Sequence, residues 1–301
     1  MNILIVGASG FVGGVLMKGL SMEHEVAGTY NSIEKPGLME LDVRDKNSVE
    51  LLVRKIMPDV VVDTAALPHV DYCQEHEDES HAINVEGTRN VAEACAKFGC
   101  GMVFISTDYL FDGKEGPYSE YHKPNPINVY GRHKLEAEGA IAETLEDYLI
   151  ARTTVVYGWE KEKKNFAART VDNLRSGKPM KVPSDQWGNP TYAENLAEAL
   201  KELVEKRGRG VYNIAGSGYC TRLEFALKIA EVFKLDASLI SGVDTRSLKQ
   251  KAPRPLKGGF RIDKAKRELK THLLSMEEGL KLMKKSEDKG DDKGRRPKKK
   301  D

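Results

Sequence analysis

Hydrophobic residues in the first half of the chain fall in short unbroken runs, separated by stretches with helical spacing. Ile3-Leu4-Ile5-Val6 is the first run and predicts a buried parallel strand. Further strands are predicted at 24–29, 38–43, 60–63, 102–105 and 148–152, the last continuing towards Tyr157-Gly158. Helices are predicted between them. One covers about 46–57, capped by Asp45. A long one covers 80–98, with Ile83, Val91, Ala94 and Cys95 on its apolar side. After a polar Gly- and Pro-rich loop over 113–126, Asn125-Pro126 is the expected cap and first-turn proline of a further helix. Beyond residue 157 the alternation loosens: helices are predicted near 165–176, 193–205, 223–233 and 276–284, and a strand at 211–215.

The first connection adds chemistry to this pattern. Gly7-Ala8-Ser9-Gly10-Phe11-Val12-Gly13 follows the first strand at once and leads into a helix. Glycines there permit a tight turn and let backbone approach a pyrophosphate at the helix N-terminus. Strand–helix alternation with this turn predicts an α/β fold, a Rossmann-type doubly wound parallel sheet with a smaller C-terminal substrate-binding lobe. Residues 1–156 form the expected dinucleotide domain, with some later segments returning to it. Residues 157–285 form mainly the substrate lobe, and 286–301 a disordered charged tail. The second strand ends at Tyr30-Asn31-Ser32 with no acidic residue for a ribose 2′-hydroxyl. Asn31, Ser32 and Lys35 can accept a 2′-phosphate, which favours NADP(H) over NAD(H). Thr64-Ala65-Ala66 leaves room for a flat ring.

Charge and cysteine content narrow the class. The 301 residues carry a net charge of +1, which speaks against a nucleic-acid partner. Residues 284–301 hold nine Lys/Arg and five Asp/Glu and almost no apolar side chain, so a solvated tail is expected. No apolar run approaches the ~18 residues of a membrane span, and no signal peptide is read. The cysteines at 73, 95, 100 and 220 form no Cys-x-x-Cys pair, as suits reduced thiols in a cytoplasmic protein. His69, His76 and His81 lack the spacing of a helical ligand pair, so no metal is expected. The carboxylates within 74–79 read as a solvated helix face.

Tyr130 and Lys134 stand four apart in a helical pattern and therefore share a face. A cation beside a phenol stabilises the phenolate, so the pair is a candidate general acid/base. Ser106-Thr107-Asp108-Tyr109 ends the 102–105 strand, at the sheet edge where ligands bind.

Gly7, Gly10 and Gly13, then Thr107, then Tyr130 and Lys134, in this order, resemble the extended short-chain dehydrogenase/reductase superfamily. Residues 106–113, Asn128-Val129-Tyr130-Gly131, the Asp185-Gln186-Trp187-Gly188-Asn189-Pro190-Thr191 loop, and Arg254-Pro255 with Asp263 and Lys266 look like the dTDP-4-dehydrorhamnose reductase family. The resemblance covers residues 1–285 and implies a catalytic triad of Thr107, Tyr130 and Lys134. It implies hydride transfer from reduced nicotinamide to the C4 ketone of a nucleotide-linked deoxysugar, with Tyr130 giving the proton. Asp42, Val43, Ala65 and Ala66 match positions lining the adenosine half of the cofactor. Asn84 matches a structural asparagine. His69, Asp108, Tyr109, Trp187 and Arg254 are candidate substrate contacts, Arg254 for the diphosphate and Trp187 either as a pocket wall or as packing. Tyr109 stands where sugar-nucleotide dehydratases need a second acidic residue, which counts against a dehydratase. A nucleotide-sugar epimerase, and a regulatory subunit like the β-subunit of methionine adenosyltransferase, remain alternatives. The expected partner is a nucleotide-sugar substrate, with no membrane; a homodimer is allowed.

Overall fold

The computed structural model describes residues 1–292. In chain order the elements begin β1 (Asn2–Val6), α1 (Phe11–Leu20), β2 (Glu25–Tyr30), β3 (Met39–Glu40), α2 (Lys46–Ile56), β4 (Val60–Asp63), α3 (Val70–Glu75) and α4 (Glu77–His81). A π-helical turn (Ala82–Gly87) leads into α5 (Thr88–Phe98), β5 (Gly101–Thr107), α6 (Val129–Thr144), β6 (Tyr148–Thr153) and β7 (Val156–Tyr157). The second half holds α7 (Phe166–Arg175), β8 (Met180–Pro183), β9 (Trp187–Gly188), β10 (Thr191–Tyr192), α8 (Ala193–Glu205), β11 (Gly210–Asn213), β12 (Cys220–Thr221), α9 (Arg222–Phe233), β13 (Ile240–Val243), α10 (Asp263–Glu268) and α11 (Met276–Asp292).

Among the described residues seven strands form one parallel sheet in the order β11-β6-β5-β4-β1-β2-β3. The order reverses between β1 and β4, and a ligand crevice opens at the carboxyl ends of strands there. Buried runs such as Ile3-Leu4-Ile5 and Val61-Val62 explain why the strands lie inside, covered on both faces. One face packs Leu16, Leu20, Leu196, Leu200 and Leu203 of α1 and α8; the other packs Val91, Cys95, Ala137 and Ile141 of α5 and α6. A third cluster joins α7, α9 and α11 around Tyr157, Phe225 and Leu280. Among the described residues no helix is long and apolar enough to cross a membrane, and all four cysteines are free.

Several expectations are corrected. The strand expected over 38–43 is only Met39–Glu40, because the chain turns at Asp42, whose carboxylate takes the Arg44 amide and guanidinium. The long helix over 80–98 is interrupted by the π-helical turn at Ala82–Gly87, and α3 precedes it unannounced. The cap of α6 is Asn128, which accepts the Gly131 amide at 2.8 Å, and not Asn125. Asn125 instead donates to Asp112, and its own amide bonds the Leu110 carbonyl. The last helix runs to Asp292, past the expected start of the tail at 286; residues 293–301 lie outside the described residues.

Candidate active site

The glycine turn is built for close approach. Gly7 has φ +81°, the left-handed region, and its amide donates to Thr29 Oγ1 at 3.0 Å. A Cβ on Gly7 would stand 2.8 Å from the Ala65 amide nitrogen, across the crevice between β1 and β4. A Cβ on Gly13 would meet the Gly7 carbonyl oxygen at 2.4 Å and Thr64 Oγ1 at 2.6 Å. Gly10 caps α1 without a side-chain hydrogen bond, so the first amides of that helix are left for an anion. Ser9 lies in this turn, Phe11 and Val12 open α1 directly after it, and the residues present fit a dinucleotide pyrophosphate. The Lys35 ammonium reaches back to the Ser9 carbonyl at 2.5 Å, placing a cation over the turn, while Asn31 and Ser32 are exposed beside it.

Opposite the turn, Asn84 holds the segment after β4. Its amide oxygen accepts from the Leu67 N–H at 2.8 Å and its Nδ2 donates to the Leu67 carbonyl at 3.2 Å. This keeps Ala65 and Ala66 at the crevice. Asp42 is occupied by Arg44, and Val43 packs so tightly that a Cβ on Gly87 would come within 2.5 Å of its Cγ2.

Thr107 and Tyr130 meet at the carboxyl end of β5, and Lys134 follows one turn on along α6, its ammonium over Phe104 of the same strand. The Thr107 hydroxyl accepts the Tyr109 amide at 3.2 Å and shares a hydrogen bond with the Tyr130 hydroxyl. Gly131 allows this: a Cβ there would stand 2.1 Å from the Tyr109 carbonyl oxygen, so α6 lies directly against the strand end. The Tyr109 and Tyr130 rings meet edge to face, 5.9 Å between centroids.

The electrostatics differ from the sequence expectation. Burial first, then Cys73 and Tyr109, hold the Tyr130 phenol well above its ordinary value, and the bond to Thr107 acts the other way. The Lys134 ammonium stands over the Phe104 ring, 3.7 Å from its centroid. Burial lowers Lys134 to about 8, with Asp63 and Glu138 opposing that. Burial likewise raises Asp63 to about 6. Asp108 is also raised by burial; it accepts the Gly259 amide at 3.0 Å and bonds Thr154, tying 258–260 to the end of β5.

Beside Tyr109 opens a cleft of about 540 Å³. Arg169, Arg222 and Arg254 all line it, with Val155 and Gln186. Arg254 is nearly buried and pairs with Asp71 at 3.0 Å. Arg222 lies over the Phe166 ring at 5.3 Å. Arg169 and Arg222 escaped the sequence reading, since an arginine at a helix start or in mid-helix is ordinary until the fold brings it to a cleft. Three expected substrate contacts do not line this cleft: Asp108, held by Gly259, Trp187 and His69. Trp187 is not among the lining residues and stacks on Tyr219, 5.3 Å between centroids; His69 is exposed at the start of α3. Among the described residues no group of three or more His, Cys, Asp or Glu is arranged to hold a metal.

Residues 1–288 match the family model described as the RmlD substrate binding domain. The chain belongs to the RmlD substrate-binding domain family. It is 35% identical over 255 residues to the spore coat polysaccharide biosynthesis protein SpsK of Bacillus subtilis, covering 84% of this chain and 87% of that protein. It is 31% identical to methionine adenosyltransferase 2 subunit beta of Bos taurus, over 79% of this chain and 73% of that protein. The crystal structure of dTDP-4-dehydrorhamnose reductase from Bacillus anthracis, in complex with NADP, superposes with a TM-score of 0.88 at 30% identity, covering 94% of this chain and 98% of that one. The seven-stranded sheet and the glycine turn of this RmlD-family chain thus belong to a Rossmann-type α/β fold.

Proposed function

We propose that the chain is an NAD(P)H-dependent reductase of a nucleotide-linked 4-keto-6-deoxysugar, with dTDP-4-dehydro-L-rhamnose as substrate and dTDP-L-rhamnose as product. The observation that carries this reading is the meeting of Thr107 and Tyr130, with Lys134 one turn on, at the strand edge that bears the glycine turn, beside an arginine-lined cleft. A bound reduced nicotinamide would supply the hydride to C4. The protein's part is the proton and the geometry. Tyr130, held protonated by burial, is in the form that reduction requires: its O–H donates to the C4 oxygen as charge develops there. Thr107, already bonded to Tyr130, supports the same oxygen. Lys134, one helical turn on, stabilises the phenolate once the proton has left.

The turn from Gly7 to Gly13 holds the pyrophosphate, and Ala65 and Ala66 flank the adenosine half. Lys35, poised over the turn, suits a 2′-phosphate and favours NADP(H). The NADP complex of the Bacillus anthracis relative supports the same preference. Arg169, Arg222 and Arg254 match a substrate diphosphate, since guanidinium groups pair with phosphate oxygens bidentately. Residues after 157 supply this substrate side.

The test is Tyr130→Phe. It should lower kcat at least ~10²-fold while the cofactor Kd stays within about twofold. An unchanged kcat would remove Tyr130 from the role of acid. The similarity to a methionine adenosyltransferase subunit favours one other reading, a regulatory partner protein. Stable co-purification with an adenosyltransferase, and no nicotinamide oxidation by folded, cofactor-bound chain, would select it.

A further inference from the structure

Lys134 is 2% exposed, yet among the described residues no carbonyl, hydroxyl or carboxylate accepts a hydrogen bond from its ammonium. The side chain is otherwise enclosed, and an ammonium with so little water around it needs a compensating neighbour to stay charged. What it touches is the face of Phe104, 3.7 Å from Nζ to the ring centroid. Phe104 is itself 1% exposed, on β5, three residues before Thr107. It is the register partner of Asp63 on β4, so the ammonium stands above an aromatic ring flanked by a buried carboxyl. A ring face carries negative potential, and its attraction for a cation is strongest where water is excluded.

We propose that Phe104 is a positioning residue for the reaction: its ring face keeps the Lys134 ammonium charged and fixed one helical turn from Tyr130. The inference rests on the reading of Tyr130 and Lys134 as the proton-donating pair. Other ionisable groups face the same pocket. Asp63 lies on β4 with Cys95 of α5 behind it, and Glu138 on α6 is paired with Arg152 of β6. Cys73 of α3 faces Tyr130. Asp63 and Glu138 both favour the charged lysine, and neither makes a hydrogen bond to it.

A ring that serves only as core packing, with Met102, Ala137, Ile141 and Ile150, should be indifferent to its own electron density. The deciding experiment therefore replaces Phe104 in the full chain by 4-fluoro-, 3,5-difluoro- and 3,4,5-trifluorophenylalanine. These drain the ring face while leaving volume nearly constant. The titration of Lys134 is followed by ¹⁵N NMR of Nζ in the cofactor-free protein, assigned with Lys134→Arg, and the alkaline limb of kcat is measured in parallel. We expect the Lys134 midpoint and the alkaline limb to fall stepwise with fluorination. The trifluoro ring should shift the protonation equilibrium about tenfold. KM for the sugar nucleotide should stay within about twofold. Phe104→Leu should fall at least as far, and Phe104→Tyr, which keeps a ring face, should stay near the parent. An Nζ midpoint that is the same for all four rings would overturn the proposal. Because the NMR titration needs no turnover, failure of the cation–ring contact and failure of the reductase reading give different results.

Discussion

Glu138 and Arg152 bind α6 to the sheet through an ion pair that is almost wholly out of solvent. Arg152 Nε donates to Glu138 Oε1 at 3.0 Å and Nη2 to Oε2 at 2.6 Å, with both side chains 6% exposed. Glu138 lies one turn beyond Lys134 on the helix that carries Tyr130, and Arg152 is the register partner of Ser106, next to Thr107. Glu138→Gln keeps the volume and one acceptor but leaves the guanidinium charge uncompensated in the interior. Arg152 Nη1 already lacks a partner among the described residues, so no spare acceptor takes up the difference. Breaking one member of a buried pair costs about 3–5 kcal/mol. At ~2–4 °C per kcal/mol for a chain of this size, the thermal midpoint should fall by about 6–20 °C. Calorimetry and urea titration of the parent and Glu138→Gln measure this. Glu138→Met combined with Arg152→Met, which buries no charge, should recover most of the loss. A single variant within about 1 kcal/mol of the parent, or a double variant less stable than the single one, would refute the reasoning.

Gly13→Ala should weaken dinucleotide binding by at least ~10-fold in a fluorescence titration, because its Cβ would force the Gly7 carbonyl and Thr64 apart; unchanged affinity would contradict the cradle. Arg222→Leu should raise KM for the sugar nucleotide by about 10–100-fold, the worth of a charge-assisted bond, with cofactor affinity unaffected. Lys134→Met should stabilise the fold below pH 8. Folding lowers the lysine to about 8 from 10.5, so the unfolded chain binds the extra proton between those values. The lysine therefore destabilises most below pH 8, by up to about 3 kcal/mol, and the gain on substitution should vanish as pH rises through 10.5. Urea midpoints from pH 6 to 10.5 test the sign.

The parallel strands were legible because buried strands read as unbroken apolar runs, and the glycine turn because it follows the first run without a gap. The cap of α6 was not: Pro126 after Asn125 offers the usual start, yet Asn128 closes the helix because Gly131 must lie against Tyr109. α3 and α4 carry too many charges for a clear apolar stripe, and the π-helical turn leaves no mark in residue spacing. The Tyr–Lys pair was visible by its i, i+4 spacing. The sign of the Tyr130 perturbation was not, since it depends on burial and on Cys73 and Tyr109 beside the phenol; nor was the seat of the Lys134 ammonium on Phe104, thirty positions away. Arg169 and Arg222 became site residues only through the packing of α7 and α9 around one cleft. Trp187, in the most recognisable loop, stacks on Tyr219.

The most direct test of the proposed reduction follows the loss of reduced-nicotinamide absorbance with enzymatically generated dTDP-4-dehydro-L-rhamnose, with NADPH and NADH in parallel. One cofactor oxidised for each dTDP-L-rhamnose formed is the expected result, faster with NADPH, and lost in Tyr130→Phe. Folded, cofactor-bound protein that consumes no reduced nicotinamide, or that converts a sugar nucleotide without net oxidation as an epimerase would, contradicts it.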